Sequence, residues 1–174
     1  DAIRPRLCCD SKALVFCNEA STVESLAASL QRRGYSCSGL HEQMEPLARD
    51  AVARCFESSA QGMWLLVCTR LLGRWQGLSQ VQCVINYDIP TTTSEYTQHL
   101  GRFASEGPAY ALTLYTDAES HLARALTKAL QRSASAPIKQ AVPDAELWHG
   151  RGRGRRHEFL TECGWFGRSR LRGE

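Results

Sequence analysis

Residues 65–92 read LLVCTRLLGRWQGLSQVQCVINYDIPTT, and the reading of this stretch decides the fold. Two short apolar runs, WLLVC (64–68) and CVINY (83–87), flank a loop rich in Gly and Arg. Neither run shows the polar alternation of a strand with one wet face, so both read as strands buried on both sides. The same pattern extends outward. ALVFC (13–17) is another continuous apolar run, YSCSGL (35–40) reads as a strand, and AYALTLYT (109–116) as a further one. Between them the period changes. Ser21-Thr22-Val23-Glu24 has capping-box spacing, and Val23, Leu26, Ala27 and Leu30 keep helical spacing until Gly34 stops it. Pro46 sits at a first-turn position, and Leu47, Ala51 and Phe56 predict a helix to about Ser58. Ser94 to Leu100 suits a short helix, and Asp117 is expected to cap an amphipathic helix through about Leu130. Strands alternating with helices predict an α/β fold, a parallel sheet with helices on both faces.

Composition agrees with one domain plus a tail. The 174 residues are 43% hydrophobic and 22% charged, in the range of soluble globular proteins, and no apolar run approaches the ~20 residues that span a bilayer. No N-terminal apolar stretch reads as a secretory signal, and an intracellular setting is expected. The eight cysteines include no CxxC pair. Cys17, Cys68 and Cys83 fall inside apolar runs and read as buried reduced thiols, so neither a metal site nor a disulfide framework is expected.

After Leu130 the texture changes. Residues 131–147 are small, polar and Pro-bearing, a linker or a strap over the surface. Residues 148–174 hold seven Arg and three Glu, a net of +4 in a chain whose total is +3. The organisation expected is a lead-in over 1–12, a folded domain over 13–130, a linker over 131–147 and an irregular Arg-rich tail over 148–174.

In open parallel sheets, ligands bind outside the carboxyl ends of the strands. The loops there carry Asn18, His41, Arg49, Thr69, Arg70, Arg74, His99 and Arg102. Several guanidinium groups with Thr and Asn suit a phosphate chain. A solvated charged rim accounts for the same residues, and His41 and His99 lack a third ligand at metal spacing.

Four segments, in order, resemble motifs of DEAD-box RNA helicases. ALVFCN (13–18) resembles the family's fourth motif, and LHEQMEPLAR (40–49) its LHGxMxQxxR segment. Residues 65–92 resemble the fifth motif and the strand after it, with VINYDIP close to a signature, and YTQHLGR (96–102) resembles the sixth. The resemblance covers 13 to about 130 and implies a RecA-like second lobe. It also implies that Thr69 and Arg49 occupy positions touching the RNA sugar-phosphate backbone, and that Arg74 and Arg102 belong to an ATP-side network.

The departures point one way. Ser105 stands where the family places its arginine finger, and a neutral hydroxyl cannot relieve the charge growing on a transferred phosphate. Gly77 replaces an acid that helps hold nucleotide, Arg70 an Asp, Trp75 a Gly, and Glu42 and Pro46 replace the Gly and Gln of the second segment. No GxxxxGK[ST] pattern occurs in these residues. The expected RNA-binding set is Asn18, His41, Arg49, Thr69 and Arg70, joined by Arg151, Arg153, Arg155 and Arg156 of the glycine-spaced cluster RGRGRR. The expected vestigial nucleotide-facing set is Arg74, Gly77, Arg102 and Ser105. The expected function is RNA binding without catalysis, in a structural or assembly component of a ribonucleoprotein particle, for instance a mitochondrial or other organellar ribosome. The expected partners are structured or ribosomal RNA and neighbouring particle proteins, with no membrane and no cofactor. Two alternatives stand beside it. One is the second lobe of a working helicase, with ATP and Mg, whose first lobe lies outside these residues. The other is a protein-docking module in which Trp75 and the terminal aromatics make the contacts.

Overall fold

β1 (Ala13–Phe16) is buried at every residue and lies between β3 (Leu65–Cys68) and β4 (Cys83–Asn86), each buried throughout. In the computed structural model, which describes residues 12–58, 62–70, 81–100, 109–132 and 156–163, the sheet has six strands in the order β2-β3-β1-β4-β5-β6. β2 is Cys37–Leu40 and β5 is Ala109–Thr116; the pairings among β1 to β5 are all parallel. The fold expected from the apolar runs is the one observed.

Alternation along β1 divides the core. Ala13, Val15 and Cys17 pack with Val23, Leu26 and Ala27 of α1 (Ala20–Arg32). Leu14 and Phe16 join the opposite cluster with Phe56 of α2 (Pro46–Glu57) and Leu66, Cys68 and Val84. Each large apolar side chain buried in this way stabilises by about 1.5–3 kcal/mol. Ile89, Tyr96, Ala123 and Leu126 form a further cluster that docks α3 (Thr93–Leu100) against α4 (Ser120–Arg132). Cys17, Cys37, Cys68 and Cys83 are buried cysteines, none of them in a disulfide.

α1 ends as Gly34 predicts. Gly34 takes φ 84°, its N–H donates to the Gln31 carbonyl and the Tyr35 N–H to that of Leu30, a Schellman closure. At its start the expectation is corrected. The helix begins at Ala20 after Glu19, with no side-chain cap, because Ser21 and Thr22 already lie inside the first turn. Glu119 instead reaches back to the N–H and hydroxyl of Thr116, at 2.8 and 2.7 Å, so Thr116 rather than Asp117 opens the 3-10 turn (Asp117–Glu119) leading into α4. The apolar face of α2 also runs differently. Ala53 and Phe56 are buried, whereas Leu47 is 82% exposed, because the face through Phe56 passes through Val52, Ala53 and Arg49.

The Arg-rich extension, expected to be irregular, contains a strand. β6 (Arg156–Cys163) pairs antiparallel with β5 over eight residues, Thr116 opposite Arg156 and Ala109 opposite Cys163. The run FLT at 159–161 is β-forming, and an edge strand as long as β5 is a template for pairing. The direction matters: β6 starts at the edge where the parallel strands end.

Candidate nucleic-acid interface

The strand order places β1 beside both β3 and β4, while the chain runs from β1 to β2 on one side and later crosses to β4 on the other. The carboxyl ends at this reversal form the crevice where open α/β sheets take ligands. Strand pairing continues one residue past each end. The Cys17 N–H donates to the Cys68 carbonyl, the Tyr87 N–H to that of Phe16, and the Thr69 N–H to that of Leu40. The first loop residues are thus fixed to the sheet.

Across the reversal the Asn18 N–H donates to Asp88 Oδ2 at 2.9 Å, tying the loop after β1 to that after β4. Asn18 is itself exposed. Thr69 at the end of β3 is 2% exposed, and its hydroxyl donates to Glu42 Oε2 at 2.8 Å. Arg70 beside it is exposed. The Glu42 carboxyl lies below the usual carboxylate range, held there first by the N–H of its own residue and then by the Thr69 hydroxyl, with help from the charges of His41 and Arg70, against some desolvation. His41 is 6% exposed, and its Nε2 lies 3.3 Å from Glu24 Oε1 on α1. Its Nδ1 is buried with no hydrogen-bond partner among the described residues. Arg49 is half-buried in the first turns of α2.

The structure therefore brings Asn18, Thr69 and Arg70 to one edge, turns His41 inward, and puts Arg49 on the helix that packs against β2. Arg74, Gly77, Arg102 and Ser105 lie outside the described residues, as do Trp75, Arg151, Arg153 and Arg155. Arg156 opens β6.

Asn86 and Thr113, which the sequence did not single out, meet His99 here. Asn86, 0% exposed within β4, donates through Nδ2 to Thr113 Oγ1 at 2.9 Å and meets His99 Nδ1 through Oδ1 at 2.7 Å. That geometry assigns the proton to His99 Nδ1. The imidazole stacks on Phe16, with ring centroids 3.7 Å apart and planes within 4°. The chain Thr113–Asn86–His99 thus fixes the end of α3, one residue before the Gly101-Arg102 step. The signal available was an Asn inside an otherwise apolar strand. The start of α3 was legible too: in TTTSE, Thr92 Oγ1 accepts the Glu95 N–H and the Glu95 carboxylate returns to Thr91. Among the described residues no group of three His, Cys, Asp or Glu side chains is arranged to hold a metal ion.

A parallel sheet with helices on both faces and polar groups gathered where its strand order reverses defines a RecA-like lobe. Residues 6–107 match the helicase conserved C-terminal domain, and the chain belongs to that family, as a C-terminal RecA-like lobe of DEAD-box type. Among its relatives, the ATP-dependent RNA helicase eIF4A of Candida albicans is 31% identical over 119 residues, covering 68% of this chain and 30% of the relative. A DEAD box protein from the hyperthermophile Methanococcus jannaschii superposes with a TM-score of 0.63 at 23% identity, over 75% of this chain and 36% of that one. The C-terminal domain of the DEAD-box protein Dbp5 gives 0.62 at 21%, over 75% and 76%. The chain thus spans less than a third of the length of the curated relative.

Proposed function

We propose that this lobe holds the sugar-phosphate backbone of RNA along the carboxyl edge of its sheet, and that it performs no ATP hydrolysis of its own. The observation that carries the reading is the delivery of Thr69, Arg70 and Asn18 to one edge at the sheet reversal of a helicase-family lobe. Arg70 adds a cation free of the packed core, suited to a phosphate oxygen. The replacement of a cation by Ser105 supports the loss of hydrolysis, since removing such a group costs orders of magnitude in rate. A binding lobe without catalysis fits a structural or assembly role in a ribonucleoprotein particle.

The test is fluorescence anisotropy with single-stranded and hairpin RNA, from about 50 to about 200 mM salt. Affinity is expected to fall steeply as salt rises, and ATP turnover is expected to stay at background when nucleotide, RNA and a DEAD-box first lobe are supplied together. Salt-independent binding, or turnover, refutes the corresponding half.

A further inference from the structure

We propose that Glu42 is a built-in competitor for RNA phosphate, a residue that closes the backbone contact at the end of β3. The inference rests on the RNA-facing reading of Thr69 given above. The Thr69 hydroxyl has one proton to donate, and it is committed to Glu42 Oε2 at 2.8 Å in a residue only 2% exposed. A phosphate oxygen and a carboxylate oxygen are both acceptors, so they cannot share that proton. The N–H of its own residue also stabilises the carboxylate, so two donors at this position are engaged by Glu42.

Charge works in the same direction. The carboxylate is ionised at neutral pH and is itself exposed, so a phosphate approaching Thr69 meets a like charge. Even with the full screening of bulk water, one such charge at about 4–5 Å is worth about fivefold in affinity, and weaker screening raises that figure. The glycine that stands here in the DEAD-box pattern would leave both donors open. The contact at Thr69 is therefore held closed, and the grip of this edge on RNA rests on Arg70 and Asn18.

The experiment compares RNA affinity by anisotropy, at low salt, for the unsubstituted chain, Glu42→Gln, Glu42→Gly, Glu42→Asp, and Glu42→Gln combined with Thr69→Val. Glu57→Gln serves as the control for net charge, because the Glu57 backbone carbonyl accepts from Lys12 Nζ, ahead of β1, which puts the residue at the opposite edge of the sheet. Glu42→Gln and Glu42→Gly are expected to bind RNA at least about fivefold tighter. Glu42→Asp and Glu57→Gln should stay near the starting value, and the gain should shrink when Thr69 loses its hydroxyl. If the unsubstituted chain binds and Glu42→Gln binds no tighter, the competitor role is wrong and the RNA reading survives. Should only the Glu42 variants bind, the competitor role stands and RNA binding by the native chain falls. Binding by none of them overturns both. An equal gain in Glu57→Gln also overturns the competitor role, because net charge alone would then account for the effect.

Discussion

Replacing His99 with Phe tests whether the buried Thr113–Asn86–His99 chain holds the end of α3. A phenyl ring can keep the stack on Phe16, worth about 0.5–1.5 kcal/mol, but it has no proton for Asn86 Oδ1. Asn86 is 0% exposed, so water does not take over. A buried acceptor left unpaired costs about 1–3 kcal/mol. His99→Phe is therefore expected to lower stability by about 2 kcal/mol, which for a chain of this size is about 4–8 °C in Tm. Urea unfolding followed by circular dichroism measures it, with a lower midpoint at unchanged slope. Asn86→Ala combined with His99→Phe should cost less than the sum of the single changes by about 1 kcal/mol, since both remove the same bond. A His99→Phe variant with the parent midpoint, or strictly additive losses, would refute the reasoning.

Gly39 faces α1, where an added Cβ would lie 3.1 Å from Val23 Cγ1 and 3.6 Å from Ala27 Cβ, so Gly39→Ala is expected to cost about 1–3 kcal/mol by pushing α1 off β2, read in the same unfolding assay. The lowered Glu42 carboxyl stabilises the fold above its ordinary titration range, and that contribution is lost as pH falls through the lowered folded value. Glu42→Gln should accordingly flatten the acid limb of a stability–pH profile and leave it unchanged near neutrality in slope. Changing Arg151, Arg153 and Arg155 together to Ser should reduce the slope of log affinity against log salt by about 2 for single-stranded RNA, if each meets one phosphate. Deleting the whole extension is the poorer experiment, because it also removes β6.

The parallel sheet was legible because burial on both faces leaves an unbroken apolar run, and ALVF, LLVC and CVIN are runs of that kind. Gly34 was legible because a left-handed cap has few alternatives to glycine. The misplaced cap at Ser21 shows the reverse case: a four-residue motif states what could bond, while packing of Ala20 and Val23 decided where the helix began. Leu47 misled because a leucine near a helix start satisfies a loose period, and only the angle to Phe56 reveals that it faces outward. At the site, positions were readable and pairings were not. That Glu42 takes the Thr69 proton across 27 residues of sequence depends on β2 and β3 being neighbours. His99 looked like a loop cation and is a core side chain for the same kind of reason, the adjacency of β1, β4 and the end of α3.

The sixth strand has a practical bearing on any shortened version of this polypeptide. A fragment stopped after Arg132 keeps every helix and parallel strand described, yet it uncovers one flank of AYALTLYT along its full length. Eight residues of ready hydrogen-bonding groups, with an apolar side chain at nearly every second place, invite a second molecule to supply the missing neighbour. Such a fragment should pair with itself and come off a sizing column at twice its mass or more, whereas the longer chain carries its own plug.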